Sequence, residues 1–194
     1  MNVLFFIRMY LFIGFFLCVT TTNAQVEESP REIKTEKAIQ DTGDIIQLGL
    51  PIIAGFATLF EDDRQGTWQF AKSFGFNLGI TYALKYAINK PRPDGATDGH
   101  AFPSGHTSVA FQSASFIQRR YGWEYGIPAY VLAGFVAYSR IEGLNDRHDG
   151  WDVLGGIITG VGSSYLFTTP YKDKLKLSFT ADQDQFLIGF VLKF

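Results

Sequence analysis

The chain has a single cysteine, Cys18, and it lies within the first two dozen residues. Everything downstream is therefore without disulfides or cysteine-bound metal, and its stability owes nothing to redox compartment. A surplus of one charge is also missing. Against 17 basic side chains stand 19 acidic ones, for a net charge of −2, which gives nucleic acid no electrostatic hold on the surface. There is no internal repeat and no low-complexity tract. Histidine is scarce, and all three, His100, His106 and His148, fall in one stretch of the second half. Aromatic residues are plentiful: 19 Phe, 9 Tyr and 3 Trp in 194 residues either pack a dense core or touch lipid.

Residues 1–24 read as an export signal. Arg8 is the only charge there, the apolar run Met9 to Val19 follows, and Thr22 and Ala24 stand where the small residues of a cleavage site belong. The run is short for a membrane span; an uncleaved anchor is the alternative. Residues 25–44 are polar and charge-mixed, a linker and helix entry. From 45 to 170 the pattern is helical, and the expected fold is an all-α bundle of about five helices with the active site at one end. Segment 45–60 is almost wholly apolar. Segment 67–89 is apolar apart from Lys72, Asn77 and Lys85, and is ended by Pro91 and Pro93. Segments 104–120, 125–140 and 150–168 follow, the last with Gly156 and Gly160 spaced for close helix approach. In the tail, 171–194, apolar residues alternate with polar ones on either side of 181–185, predicting a C-terminal β-hairpin.

The helix order carries a geometric consequence. The loop after 67–89 and the loop after 125–140 lie at the same end of an up-and-down bundle. Lys85, Arg92, Ser104, His106, Arg140, His148 and Asp152 are thereby predicted to converge. Pro103-Ser104-Gly105-His106 opens a helix, where unpaired N–H groups and a partial positive charge suit an anion. Taken alone, Ser104 is as well explained as an N-cap, and each cation as a solvated surface charge. Together, three cations aimed at one place call for an anion between them, and the arginine fork suits phosphate oxygens. His148 and Asp152 are four apart, a spacing that lets the carboxylate orient the imidazole. A histidine so held can attack phosphorus, and His106 can protonate the leaving oxygen. A structural His–Asp pair is the alternative. Zinc is disfavoured, because the further carboxylates or cysteines of a metal site are missing.

These residues carry a resemblance. Lys85, six residues, then Arg92-Pro93; Pro103-Ser104-Gly105-His106; and Ser139-Arg140 followed by His148, three residues and Asp152 are similar to the three-part signature of the type 2 phosphatidic acid phosphatase (PAP2) and vanadium haloperoxidase superfamily. The resemblance covers roughly residues 40–170. It implies a helical bundle and a metal-independent, cofactor-free reaction. Lys85, Arg92 and Arg140 would bind phosphate oxygens, with Ser104 and Gly105 completing the contacts. His106 would be the acid, His148 the nucleophile and Asp152 its partner. One departure stands out: the superfamily usually has five residues between the motif arginine and the nucleophile, whereas Ile141 to Arg147 make seven. Either the loop bulges and leaves both ends in place, or Arg147 takes over from Arg140. Asp94, Asp98 and His100 match no motif and read as loop residues at the substrate entrance.

The expected function is a phosphatase of the cell envelope acting on a phosphate monoester or diphosphate, with a phosphorylated lipid favoured. It would be exported and membrane-associated, with its site toward the periplasm. The alternatives are a soluble periplasmic acid phosphatase acting on small phosphate esters and, further off, a vanadate-dependent haloperoxidase.

Overall fold

A computed structural model describes residues 30–93, 99–143, 148–171, 175–182 and 185–192. Residues 1–24, expected to be an export signal, lie outside these, as do Asp94, Asp98 and residues 144–147. Five helices follow one another: α1 (Pro30–Phe60), α2 (Arg64–Ile88), α3 (Gly105–Tyr121), α4 (Trp123–Ile141) and α5 (Gly150–Phe167). Residues 30–44, where the sequence suggests a linker and helix entry, already form the first turns of α1. The backbone of Leu175–Asp182 pairs antiparallel with Gln185–Leu192 as a hairpin, Leu175 opposite Leu192.

Local chemistry sets the helix ends. Asp63 caps α2 by accepting from the Gly66 amide at 2.8 Å. At the other end α2 stops before either proline is reached. Asn89 turns into the left-handed region (φ 46°), and its amide bonds to the Lys85 carbonyl, a short C-cap that redirects the chain. Ser104 caps α3, and Asp149 with Asp152 forms a capping box on α5.

The central helix is α3, which packs against α2, α4 and α5. One side of it is apolar: Ala110, Ala114, Phe116 and Ile117 join Leu50 and Ala54 of α1 and Ala129, Ala133 and Val136 of α4. The other buried side is polar. Gln112 Nε2 donates to Ser73 Oγ at 2.9 Å, Asn77 Nδ2 donates to Ser108 Oγ at 3.3 Å, and Thr81 and Ser108 share a hydrogen bond of 3.1 Å. Close approach of α5 depends on glycine. A Cβ at Gly156 would lie 2.6 Å from the Ser104 carbonyl oxygen, and one at Gly160 would lie 2.8 Å from the Gln112 nitrogen.

Outside, the polarity is reversed. Ile45, Leu48, Ile52, Phe56 and Phe60 of α1, Val131 of α4, and Ile158 and Leu166 of α5 are all more than half exposed. Trp68 and Trp123 are exposed at one end of the bundle and Trp151 at the other. That first end is clamped from within. Arg120, buried, donates through Nε to Asp63 Oδ2 at 2.6 Å and through Nη2 to Asp63 Oδ1 at 2.5 Å, and also holds the Thr169 carbonyl oxygen at 2.8 Å.

Candidate active site

The end of α2, the start of α3 and the end of α4 meet at one end of the bundle, around a cavity of about 280 Å³. Lys85, Arg92, Gly105, His106, Arg140 and His148 line it, with Gln47, Thr81, Tyr82 and Ser108 making up the walls and floor. Residues far apart in the sequence meet there because α2 delivers its last turn, α3 its first and α4 its last to one place.

His148 is buried, and its Nδ1 faces Asp152 Oδ2 at 3.4 Å. That leaves Nε2, across the ring, for the cavity. Burial holds the imidazole pKa down at about 4. Arg92 and Lys85 push the same way, and Asp152 opposes them. The ring is therefore neutral, with a free lone pair, across the physiological range.

Asp152 is fully buried and ties three segments together. Its Oδ2 accepts from the Asp149 amide at 3.2 Å, its Oδ1 takes the Lys90 ammonium at 2.8 Å, and its backbone carbonyl accepts from the Ser104 amide at 2.8 Å. Lys90 reaches Asp149 as well, at 2.5 Å. Partial burial works against the Lys90 charge, but the hydrogen bonds to the two carboxylates outweigh it and raise its pKa.

The phosphate-binding candidates divide into two kinds. Lys85, Arg92, Arg140 and Gly105 line the cavity. A Cβ at Gly105 would meet nothing closer than Lys85 Cε at 3.7 Å. Packing does not require glycine there, and its effect is to leave the helix N-terminus bare toward the cavity. Ser104 sits one layer back. It is fully buried, accepts from the Thr107 hydroxyl at 3.0 Å and caps α3. Lys85 Nζ also bonds the His100 carbonyl at 2.7 Å, while His100, left-handed at φ 66°, returns its Nδ1 to the Lys85 carbonyl at 3.0 Å. His100 thus secures the α2 terminus to the loop.

Arg140 and His148 line one cavity although two more residues than usual separate them. Arg140 is buried and well anchored: Nη2 donates to the Gln40 carbonyl at 3.2 Å and to Ser139 Oγ at 3.0 Å, and Nη1 pairs with Asp44 at 2.9 Å. Asp44 and Lys90 were not singled out by sequence reasoning. Lys90 offered a signal in hindsight, a cation two residues before Arg92; Asp44 lies in a charge-mixed segment where nothing marks one carboxylate from the next. No group of three or more metal-ligating side chains occurs among the described residues.

This helical bundle, with its cavity between two loops, matches a known class, and the chain belongs to the PAP2 superfamily, whose sequence model matches residues 66–176. Among curated proteins the chain is similar to the lipid A 1-phosphatase of Porphyromonas gingivalis, 40% identical over 87 residues. That stretch is 43% of this chain and 19% of the relative, so the chain spans about a fifth of the relative's length. Among solved structures it resembles the transmembrane PAP2-type phosphatidylglycerolphosphate phosphatase of Bacillus subtilis. There the TM-score is 0.56 at 24% identity, covering 83% of this chain and 92% of the other.

Proposed function

We propose that the protein is a membrane-associated phosphatase acting on a phosphorylated lipid through a phosphohistidine on His148. The observation that carries this reading is the neutral, buried His148, oriented by Asp152, in a cavity that also holds Lys85, Arg92, Arg140 and His106. Phosphate oxygens are held by the three cations and by the bare start of α3. His148 Nε2 donates its lone pair to phosphorus, the bond to the leaving oxygen breaks, and His106 supplies the proton that oxygen needs. Water then attacks the phosphohistidine and gives its proton back to His106. Inorganic phosphate leaves and the imidazole is regenerated. Asp152 stabilises the imidazolium character that the ring gains during attack.

Two observations support a lipid substrate over a small soluble ester. The bundle's outer face is apolar along all but the central helix, beyond what soluble monomers usually expose. In addition, the relative from P. gingivalis is named for lipid A and the B. subtilis structure for phosphatidylglycerolphosphate. For orientation, the cavity lies at the end where α3 and α5 begin, on the same side as the early part of α1. An exported N-terminus would place that side in the periplasm.

The test is phosphate release by the purified protein in EDTA and detergent, from a lipid A phosphate, phosphatidylglycerolphosphate, phosphatidic acid and 4-nitrophenyl phosphate. The expected result is turnover of at least one lipid, lost in His148→Ala while melting behaviour is kept. Undiminished release by His148→Ala overturns the mechanism. Turnover of the aryl ester alone overturns the lipid assignment.

A further inference from the structure

One carboxylate at the cavity comes from outside the stretch that the superfamily's sequence model matches. Asp44 lies on α1, ahead of residues 66–176, and its Oδ1 stands 2.9 Å from Arg140 Nη1 and 3.4 Å from His106 Nε2. The backbone explains how it gets there. A Cβ at Gly43 would lie 2.7 Å from Ser139 Cβ, so glycine lets α1 lie directly against the end of α4 and presents the next residue to the cavity.

Arg140 does not depend on Asp44 for its placement, because Ser139 Oγ and the Gln40 carbonyl hold it independently. His106 is in a different position. Its side chain is 42% exposed, so burial does not fix the ring. Beside Tyr82, the ionisable groups that share the cavity with it are Lys85, Arg92, Arg140 and His148, all cations or imidazole, which is a poor setting for a ring that must carry a proton. Asp44 offsets them.

We propose that Asp44 is the positioning residue of the general acid. Its ion-pair contact with His106 Nε2, at 3.4 Å, turns the ring with Nδ1 toward the leaving oxygen, so that His106–Asp44 does for proton delivery what His148–Asp152 does for attack. When the P–O bond breaks, the electron pair on the leaving oxygen takes the Nδ1 proton, while the Nε2 proton stays on the ring, facing Asp44. When water attacks, Nδ1 takes the proton back. This role rests on the phosphatase reading above; the His106–Asp44 contact does not.

Two measurements on the full chain in detergent test it. In Asp44→Asn, the single-turnover rate of P–O cleavage of phosphatidic acid, whose alkoxide leaving group needs a proton, falls about 100-fold. On 4-nitrophenyl phosphate, which leaves without one, the same single-turnover rate falls no more than about fivefold by the same reasoning. KM changes little on either, and Asp44→Glu recovers most of the loss. Equal losses on both substrates, or a rise in KM alone, overturn the role. The second measurement is nitrogen-15 NMR of the imidazoles at a pH high enough for His106 to be neutral, which is expected to show it as the Nε2–H tautomer in the wild type and a mixture in Asp44→Asn. An unchanged tautomer overturns the pairing. If the wild type hydrolyses neither substrate, the phosphatase reading fails, and the NMR result still decides the His106–Asp44 contact.

Discussion

His148 is kept neutral by its surroundings, and this has a sign that can be checked. The unfolded imidazole takes its proton near the ordinary 6.5, whereas in the folded protein it does so at about 4. Between those values the unfolded chain binds the extra proton, so stability falls as pH drops from about 6.5 to about 4. His148→Gln is expected to flatten the thermal-stability profile across that window. Arg92 is the second cause of the depression, after burial. In Arg92→Gln the His148 ring resonances are therefore expected to titrate at higher pH than in the wild type. Lys90 gives a further residue-scale prediction. A charge-assisted hydrogen bond to a buried carboxylate contributes about 1.5–3 kcal/mol. Lys90→Met, which leaves Asp152 with one neutralising partner fewer, is then expected to lower kcat about 10- to 100-fold with KM nearly unchanged. The motif residues were legible in the sequence because their spacing is a pattern. Asp44 and Lys90 were not, since their importance comes from where α1 and the α2–α3 loop lie in space. The hydroxyl of Ser104 was legible in both its guises, cap and ligand, and the structure places it at the cap.

At the scale of elements, α5 presses into α3 through Gly156 and Gly160, and the Ser104 carbonyl at the Gly156 contact belongs to the residue that starts the cavity-facing turn. Gly156→Leu is expected to destabilise the protein by about 1–3 kcal/mol by overpacking and to lower turnover by shifting that turn. Gly162→Leu, where a Cβ meets nothing within 4 Å, is expected to leave melting temperature and rate unchanged. The Asp63–Arg120 pair sits at the end of the bundle away from the cavity. Removing one partner of a buried ion pair costs about 3–5 kcal/mol, so Arg120→Met is expected to lower the melting temperature sharply while the folded fraction keeps wild-type kcat. The helices themselves could be read from their apolar runs and prolines. The early start of α1 could not, because its first turns are polar and exposed, and exposure removes the periodicity from which a helix is recognised. The left-handed stop at Asn89 was hidden for a related reason: the two prolines beyond it were sufficient breakers by themselves.

For the whole molecule, the apolar exterior and the tryptophans at both ends match the dimensions of a bilayer. The four helices after α1, of 17 to 25 residues, are roughly 25–38 Å long, against a hydrocarbon layer of about 30 Å. Among the described residues, α1 alone qualifies as a span by length and composition. The protein is expected to stay in the membrane pellet through alkaline carbonate extraction, and release into the supernatant would refute embedding. Turning polarity inward also has a mechanical effect. Dispersion between smooth apolar helices in lipid is nearly indifferent to sliding, since one methyl neighbour serves about as well as the next. The Ser73–Gln112 and Asn77–Ser108–Thr81 bonds are not indifferent: displaced by one turn, each donor faces a wrong partner in a buried contact that water does not reach. These bonds act as the teeth of a ratchet, locking the depth of α3 against α2 and, with it, the distance between the first turn of α3 and the last turn of α2, where phosphate is expected to sit.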